Sequence, residues 1–125
     1  MEQTFGSYVR EKRMTRGLSL RALASKLEVS PVYMSNIEND RRPAPTREKL
    51  NHLIEILGLC QADAELLLDL AAKSRTQRVS ADLPEYIMER DIVRAALRTA
   101  KEVDATDEEW QEFIDRITQR GKRDE

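Results

Sequence analysis

The chain has 125 residues, 40% hydrophobic and 35% charged, which suits one soluble helical domain, or one small domain with an appendage. No run of hydrophobic side chains exceeds three residues (Leu66 to Leu68 is one), so no segment reads as a membrane span, and no signal-peptide pattern opens the chain. The formal net charge of −2 alone speaks against a nucleic-acid binder, but residues 1–58 hold ten Lys/Arg against seven Asp/Glu while residues 59–125 hold eleven against sixteen, a split that points to two jobs in one chain.

Hydrophobic periodicity gives helices throughout and no convincing strand. Phe5 and Val9 sit four apart in a first helix that Gly17 ends. Ser19 is placed to cap a second, whose Leu20, Leu23, Ala24 and Leu27 follow the i, i+3, i+4, i+7 stripe. After two or three residues a third helix begins, with Ser30 at the N-cap and Pro31 at the first helical position. The loop "RRPAP" breaks the chain. Thr46 then caps a fourth helix bearing Leu50, Leu53, Ile54 and Leu57, and Gly58 stops it. A fifth runs through "ADAELLLDLAA", and the polar stretch "KSRTQRVSAD" after it is the linker candidate. Beyond lie "LPEYIMERDIVRAALRTAKEV" and "TDEEWQEFIDRITQ", two more helices, the second opened by a capping box of Thr106 and Glu109. The expected architecture is all-α: a five-helix domain over 1–74, a linker over 75–83 and a two-helix hairpin over 84–125.

The third helix poses the functional question. Two helices joined by so short a turn cross steeply, and the second stands proud of the body. Along "SPVYMSNIENDRR" (30–42), Met34 and Ile37 turn inward while Val32, Ser35, Asn36 and Asn39 line the outer side. Short amide and hydroxyl side chains beside a small apolar one suit the floor of the DNA major groove, where amides pair with base edges and methyls touch thymine. Arg41 and Arg42 follow where a phosphate would lie.

Residues 4–58 resemble the Cro/repressor-type helix-turn-helix proteins, also called the Xre family. The matching segment runs "VREKRMTRGLSLRALASKLEVSPVYMSNIENDRRPAPTREKLNHLIEILGL". It supplies, in order, "R-x-x-x-G-L-S", "L-A-x-x-L", "V-S-x-x-Y-M-S-x-I-E-N", the Arg-Pro loop and "L-x-x-L-I-x-x-L-G". The resemblance implies a sequence-specific regulator of transcription, a repressor acting as a homodimer on a near-palindromic operator in double-stranded DNA, without a cofactor. It implies phosphate contacts from Arg21, Arg41, Arg42 and Arg47, joined by Ser19, Ser30, Tyr33 and the peptide N–H groups that open the second and third helices. Arg13 lies four residues after Val9 and Glu38 four after Met34, both on inward sides, where a charge needs a partner. The family joins its matching arginine and glutamate in a partly buried salt bridge, which makes Arg13–Glu38 a structural pair.

Departures from the family pattern matter as well. Leu20 stands where a glutamine often reaches a phosphate, and Pro31 or Val32 where a glutamine often reads bases. Specificity is then expected from Val32, Ser35, Asn36 and Asn39 and from DNA shape. Glu28 occupies a turn position usually held by glycine or asparagine, at a cost of about 1 kcal/mol, and Asp40 replaces the usual glycine after the third helix.

Catalysis is not expected. His52, the one histidine, lies mid-helix and reads as a surface or boundary residue; Cys60, with no helper for a thiolate, reads as a buried small hydrophobe. Glu108, Glu109 and Glu112 gather at a helix start, where dipole and cap explain them better than a metal. No Cys/His spacing fits zinc. The cysteine count and the absent leader make the cytoplasm the expected location. In the last two helices, Tyr86, Val93, Leu97 and Ala100 line one side and Trp110, Phe113, Ile114 and Ile117 another. Such a hairpin cannot bury that surface alone. A second copy, meeting Tyr86, Val93, Leu97, Trp110, Phe113, Ile114 and Ile117, is the expected occupant; the alternatives are the fifth helix of the same chain and an antitoxin-like module whose acidic helices bind a partner protein.

Overall fold

A computed structural model describes residues 3–75 and 79–123. Among the described residues it holds eight α-helices and no strand. The chain divides into two compact units, Met1–Pro84 and Glu85–Glu125.

Five helices build the first unit: α1 (Phe5–Thr15), α2 (Leu20–Leu27), α3 (Pro31–Glu38), α4 (Arg47–Leu57) and α5 (Gln61–Lys73). Short-range hydrogen bonds set their starts. Thr4 and Ser7 form a capping box on α1, and Ser19, Ser30 and Thr46 accept from Ala22, Tyr33 and Lys49 N–H on α2, α3 and α4. Left-handed residues set two of the ends: Glu28 after α2 (φ 62°) and Gly58 after α4 (φ 59°). Cys60 begins α5 without a side-chain cap bond and is exposed, contrary to the buried hydrophobe expected of it. At an N-cap its side chain projects from the chain's entry into the helix, ahead of the apolar residues that pack inward.

Val9, Leu23, Leu27, Met34, Ile37, Leu50, Leu53 and Leu67 form the fully buried centre. Around it α3 packs on both α1 and α2, α4 packs on α2, and α5 packs on α1. Each element thus presents its apolar stripe to a shared core, and the stripe of α2 is the one that periodicity gave, with Leu20 only partly buried.

The segment read as a linker is used by this unit on both sides of Thr76, Gln77 and Arg78, which lie outside the described residues. Lys73 still belongs to α5. Ser74 Oγ accepts from Ala44 N–H at 3.0 Å, and Arg75 donates to the carbonyls of Ala44 and Pro45. Ser80 is buried and donates to the Asp69 carboxylate, while Ala81 packs against the core. Polar composition suggested solvent; here polar groups meet partners within the fold.

The second unit carries α6 (Pro84–Glu89) from its second residue on, α7 (Asp91–Val103) and α8 (Asp107–Arg123). The single helix expected from Leu83 to Val103 is interrupted: Arg90 is extended (φ −125°, ψ 110°). Arg94 reaches back over the break, donating to the carbonyls of Ile87 (3.0 Å) and Met88 (2.6 Å) and pairing with Asp91. The carbonyls that end α6 are thereby satisfied without a continuous helix. Tyr86 consequently lies on a different helix from Val93, Leu97 and Ala100, and periodicity no longer aligns them. Asp104, left-handed at φ 54°, ends α7, and Thr106 with Glu109 forms the capping box of α8 through two bonds of 3.1 Å. No residue of 85–121 is buried. Among the described residues no helix is long and apolar enough to cross a membrane.

Candidate nucleic-acid interface

Helices α2 and α3 are joined by the three residues Glu28, Val29 and Ser30. Met34 and Ile37 are fully buried beneath α3, and Val32 on the opposite side is 71% exposed. Ser35 and Asn36 are half-buried and Asn39 exposed, so the four candidate base-reading residues share the side turned from the core. They are not equally available. Asn39 ends the helix, and its amide donates to the Ser35 carbonyl at 2.8 Å and the Ser35 hydroxyl at 3.3 Å. Its donor is committed to its own helix. Among the described residues, the Asn36 amide makes no hydrogen bond within the chain, which leaves its donor and acceptor together for a base edge.

Two devices hold α3 at its angle. In the first, Arg13 and Glu38 meet as a fork: Nε to Oε2 at 2.8 Å and Nη2 to Oε1 at 3.0 Å. Arg13 Nη1 also donates to the Leu18 carbonyl at 2.9 Å. The side chains are 12% and 5% exposed, and hydrogen bonding to Glu38 pushes the arginine further above its ordinary range. Among the described residues no buried side-chain nitrogen or oxygen is left without a partner. The second device escaped sequence reasoning. Asp40, left-handed at φ 59°, accepts from Thr4 Oγ1 at 2.6 Å and from Gly6 N–H at 3.0 Å. The loop leaving α3 is thereby tied to the start of α1. Gly6 permits the approach, since a β carbon there would lie 2.5 Å from the carbonyl oxygens of both Ile37 and Glu38. A glycine inside a helical pattern was the available signal.

Cations surround the helix pair. Arg21, Arg41, Arg42 and Arg47 are exposed, and the Arg42 guanidinium lies 5.6 Å from the centre of the half-buried Tyr33 ring. Ser19 and Ser30 spend their acceptors on the caps of α2 and α3, each at 3.0 Å. Away from this face, Tyr8 donates to the Asp63 carbonyl (3.0 Å) and Lys12 pairs with its carboxylate (3.2 Å), joining α1 to α5. Burial, with help from the Asp63 charge, raises the Tyr8 hydroxyl, and the hydrogen bond to Asp63 raises the Lys12 ammonium. His52 is exposed on α4. Among the described residues no group of three or more His, Cys, Asp and Glu could hold a metal ion.

The residues read as an interface are distributed over α6, α7 and α8. Tyr86, Leu97, Phe113, Ile114 and Ile117 are exposed, while Val93 and Trp110 are half-buried. Trp110 and Phe113 meet edge to face, with centroids 6.2 Å apart.

A family model described as a helix-turn-helix domain matches residues 4–67. The HTH-type transcriptional regulator RamB of Mycobacterium tuberculosis, in strains CDC 1551 and H37Rv, is 39% identical over 93 residues. That match takes in 74% of this chain but 18% of the length of RamB. A solved structure of the SinR protein/SinI protein complex aligns at 21% identity and a TM-score of 0.48, covering 95% of this chain and 99% of that one. The chain belongs to the helix-turn-helix domain family, in its Cro/repressor (Xre) form.

Proposed function

We propose that this chain is a DNA-binding transcriptional regulator, a repressor that acts as a homodimer on a near-palindromic operator. The observation that carries the reading is α3 itself: its inner side is anchored by Met34, Ile37 and the Arg13–Glu38 fork, while Val32, Ser35, Asn36 and Asn39 face away from the core. In this reading α3 enters the major groove, with Val32 against a thymine methyl and Asn36 bidentate to an adenine. Arg21, Arg41, Arg42 and Arg47, with Ser19, Ser30 and Tyr33 at the helix starts, hold the flanking phosphates and set the register. The name of the RamB relatives supports regulation of transcription. The helices of residues 84–125 supply the dimer contact, supported by their exposed apolar side chains.

The test is a binding comparison on a duplex selected from a random pool and on an unrelated duplex. Asn36→Ala should weaken the selected complex by about 1–3 kcal/mol and leave the unrelated one nearly unchanged. Arg42→Ala should weaken both alike and flatten the salt dependence. Parallel losses for Asn36→Ala would remove α3 from the groove. Capture of a foreign protein through the last helices, with DNA affinity independent of self-association, would favour the antitoxin-like reading instead.

A further inference from the structure

A cavity of about 910 Å³ opens where the loop after α3 meets the end of α5, and its wall includes Thr4, Asp40, Arg41, Arg42, Lys73 and Arg75. Four of these side chains are cationic and one is a carboxylate. That carboxylate is already taken: Asp40 accepts from the Thr4 hydroxyl and the Gly6 amide. Among the described residues the cations meet no carboxylate. Arg75 donates to the carbonyls of Ala44 and Pro45, which are uncharged, and Arg42 rests over Tyr33. Arg41 and Lys73 form no ion pair among the described residues. Uncompensated positive charge in a concave wall focuses potential and draws an anion.

The shape of this wall is set in advance. Ser74 and Arg75, at the end of α5, bind the backbone of Ala44 and Pro45, while Asp40 holds the start of the same loop against α1. Arg41 and Arg42 are therefore presented from a loop fixed at both ends, a few residues beyond the base-reading side of α3. The ends of a helix lying in the major groove come close to backbone phosphates. We infer that the cleft receives a phosphodiester of the DNA backbone beside the reading helix, and that Lys73 is a phosphate contact supplied by α5 from outside the helix-turn-helix. This rests on the DNA-binding reading above.

The experiment uses the full chain with Lys73→Ala and Lys73→Glu, positions on an exposed side chain, and measures affinity for the selected and the unrelated duplex across a salt series. Lys73→Ala should weaken both complexes by roughly threefold to tenfold and reduce the salt slope by about 0.9, the contribution of one phosphate. Lys73→Glu should go further in both. Wild-type affinity and slope in Lys73→Glu would overturn the inference while leaving the DNA reading intact. Inorganic pyrophosphate supplies the second arm: saturable thermal stabilisation of the unmodified chain, lost in Lys73→Glu with an unchanged DNA slope, would make the site one for a free anion and overturn the backbone assignment. An unmodified chain that retains no duplex from the pool overturns the parent reading, and this one with it.

Discussion

Glu38 shows how much one inward carboxylate depends on its partner. Arg13 meets it with two hydrogen bonds, and the pair is nearly closed to water, so neither charge is screened or hydrated. Glu38→Ala leaves the guanidinium with the Leu18 carbonyl alone and should cost about 3 kcal/mol. The double change Arg13→Met with Glu38→Leu should recover most of that loss, because two apolar side chains need no charge partner. Thermal melts decide it: an unchanged midpoint for Glu38→Ala would mean that the fork does not stabilise the fold. Lys12–Asp63 is the contrasting case: it is partly exposed, so water and salt screen it and it contributes far less to stability than the fork. The positions of Arg13 and Glu38 were readable because each is offset by one helical turn from an apolar residue of its own helix. The contact of Asp40 with Thr4 and Gly6 was not, because its partners lie 34 and 36 positions away and nothing local to Asp40 announces them.

Helix boundaries separate along the same line between local and distant causes. Ser19, Ser30 and Thr46 cap through bonds three residues long, so the starts of α2, α3 and α4 were legible. The break at Arg90 was not: apolar spacing continues across it, and the bonds from Arg94 to Ile87 and Met88 that accompany it span seven and six positions. The two non-glycine residues flanking α3 with positive φ offer a matched test at this scale. At Glu28 the backbone is left-handed with φ 62°, and among the described residues no hydrogen bond of its side chain accompanies that geometry. Glu28→Gly should stabilise the protein by about 0.5–1 kcal/mol, the relief of conformational strain less the added freedom of the unfolded chain. At Asp40 the φ of 59° is nearly the same, but the carboxylate closes two hydrogen bonds to α1. Asp40→Gly should therefore destabilise by about 1–2 kcal/mol despite the same relief. Denaturant midpoints of opposite sign are the expected outcome. Two shifts of the same sign would show that backbone conformation alone governs both positions.

At the scale of the whole molecule, the two units differ in how they satisfy their apolar surface. The first encloses a full core, while no residue of 85–121 is buried, and Ile92, Phe113 and Ile114 are each more than half exposed. Surface of that kind is stable when another surface covers it, and in the proposed homodimer an isologous contact anchored by Trp110 and Phe113 would do so with one patch used twice. Trp110→Ala with Phe113→Ala should yield a monomer of unchanged helicity that has lost most operator affinity, since each half-site is then held singly. Sedimentation at micromolar concentration checks it: a monomeric unmodified chain removes the homodimer, and a dimer that survives the double change moves the contact elsewhere. The tolerance of the fold to inherited change is set in another place. Any single-base change in a glycine codon that alters the residue installs at least a β carbon, and Gly6 has backbone oxygens 2.5 Å from that point. Every missense allele at Gly6 must therefore push the first helix off the third, so a position that touches no base is expected to gather loss-of-function alleles like one that does.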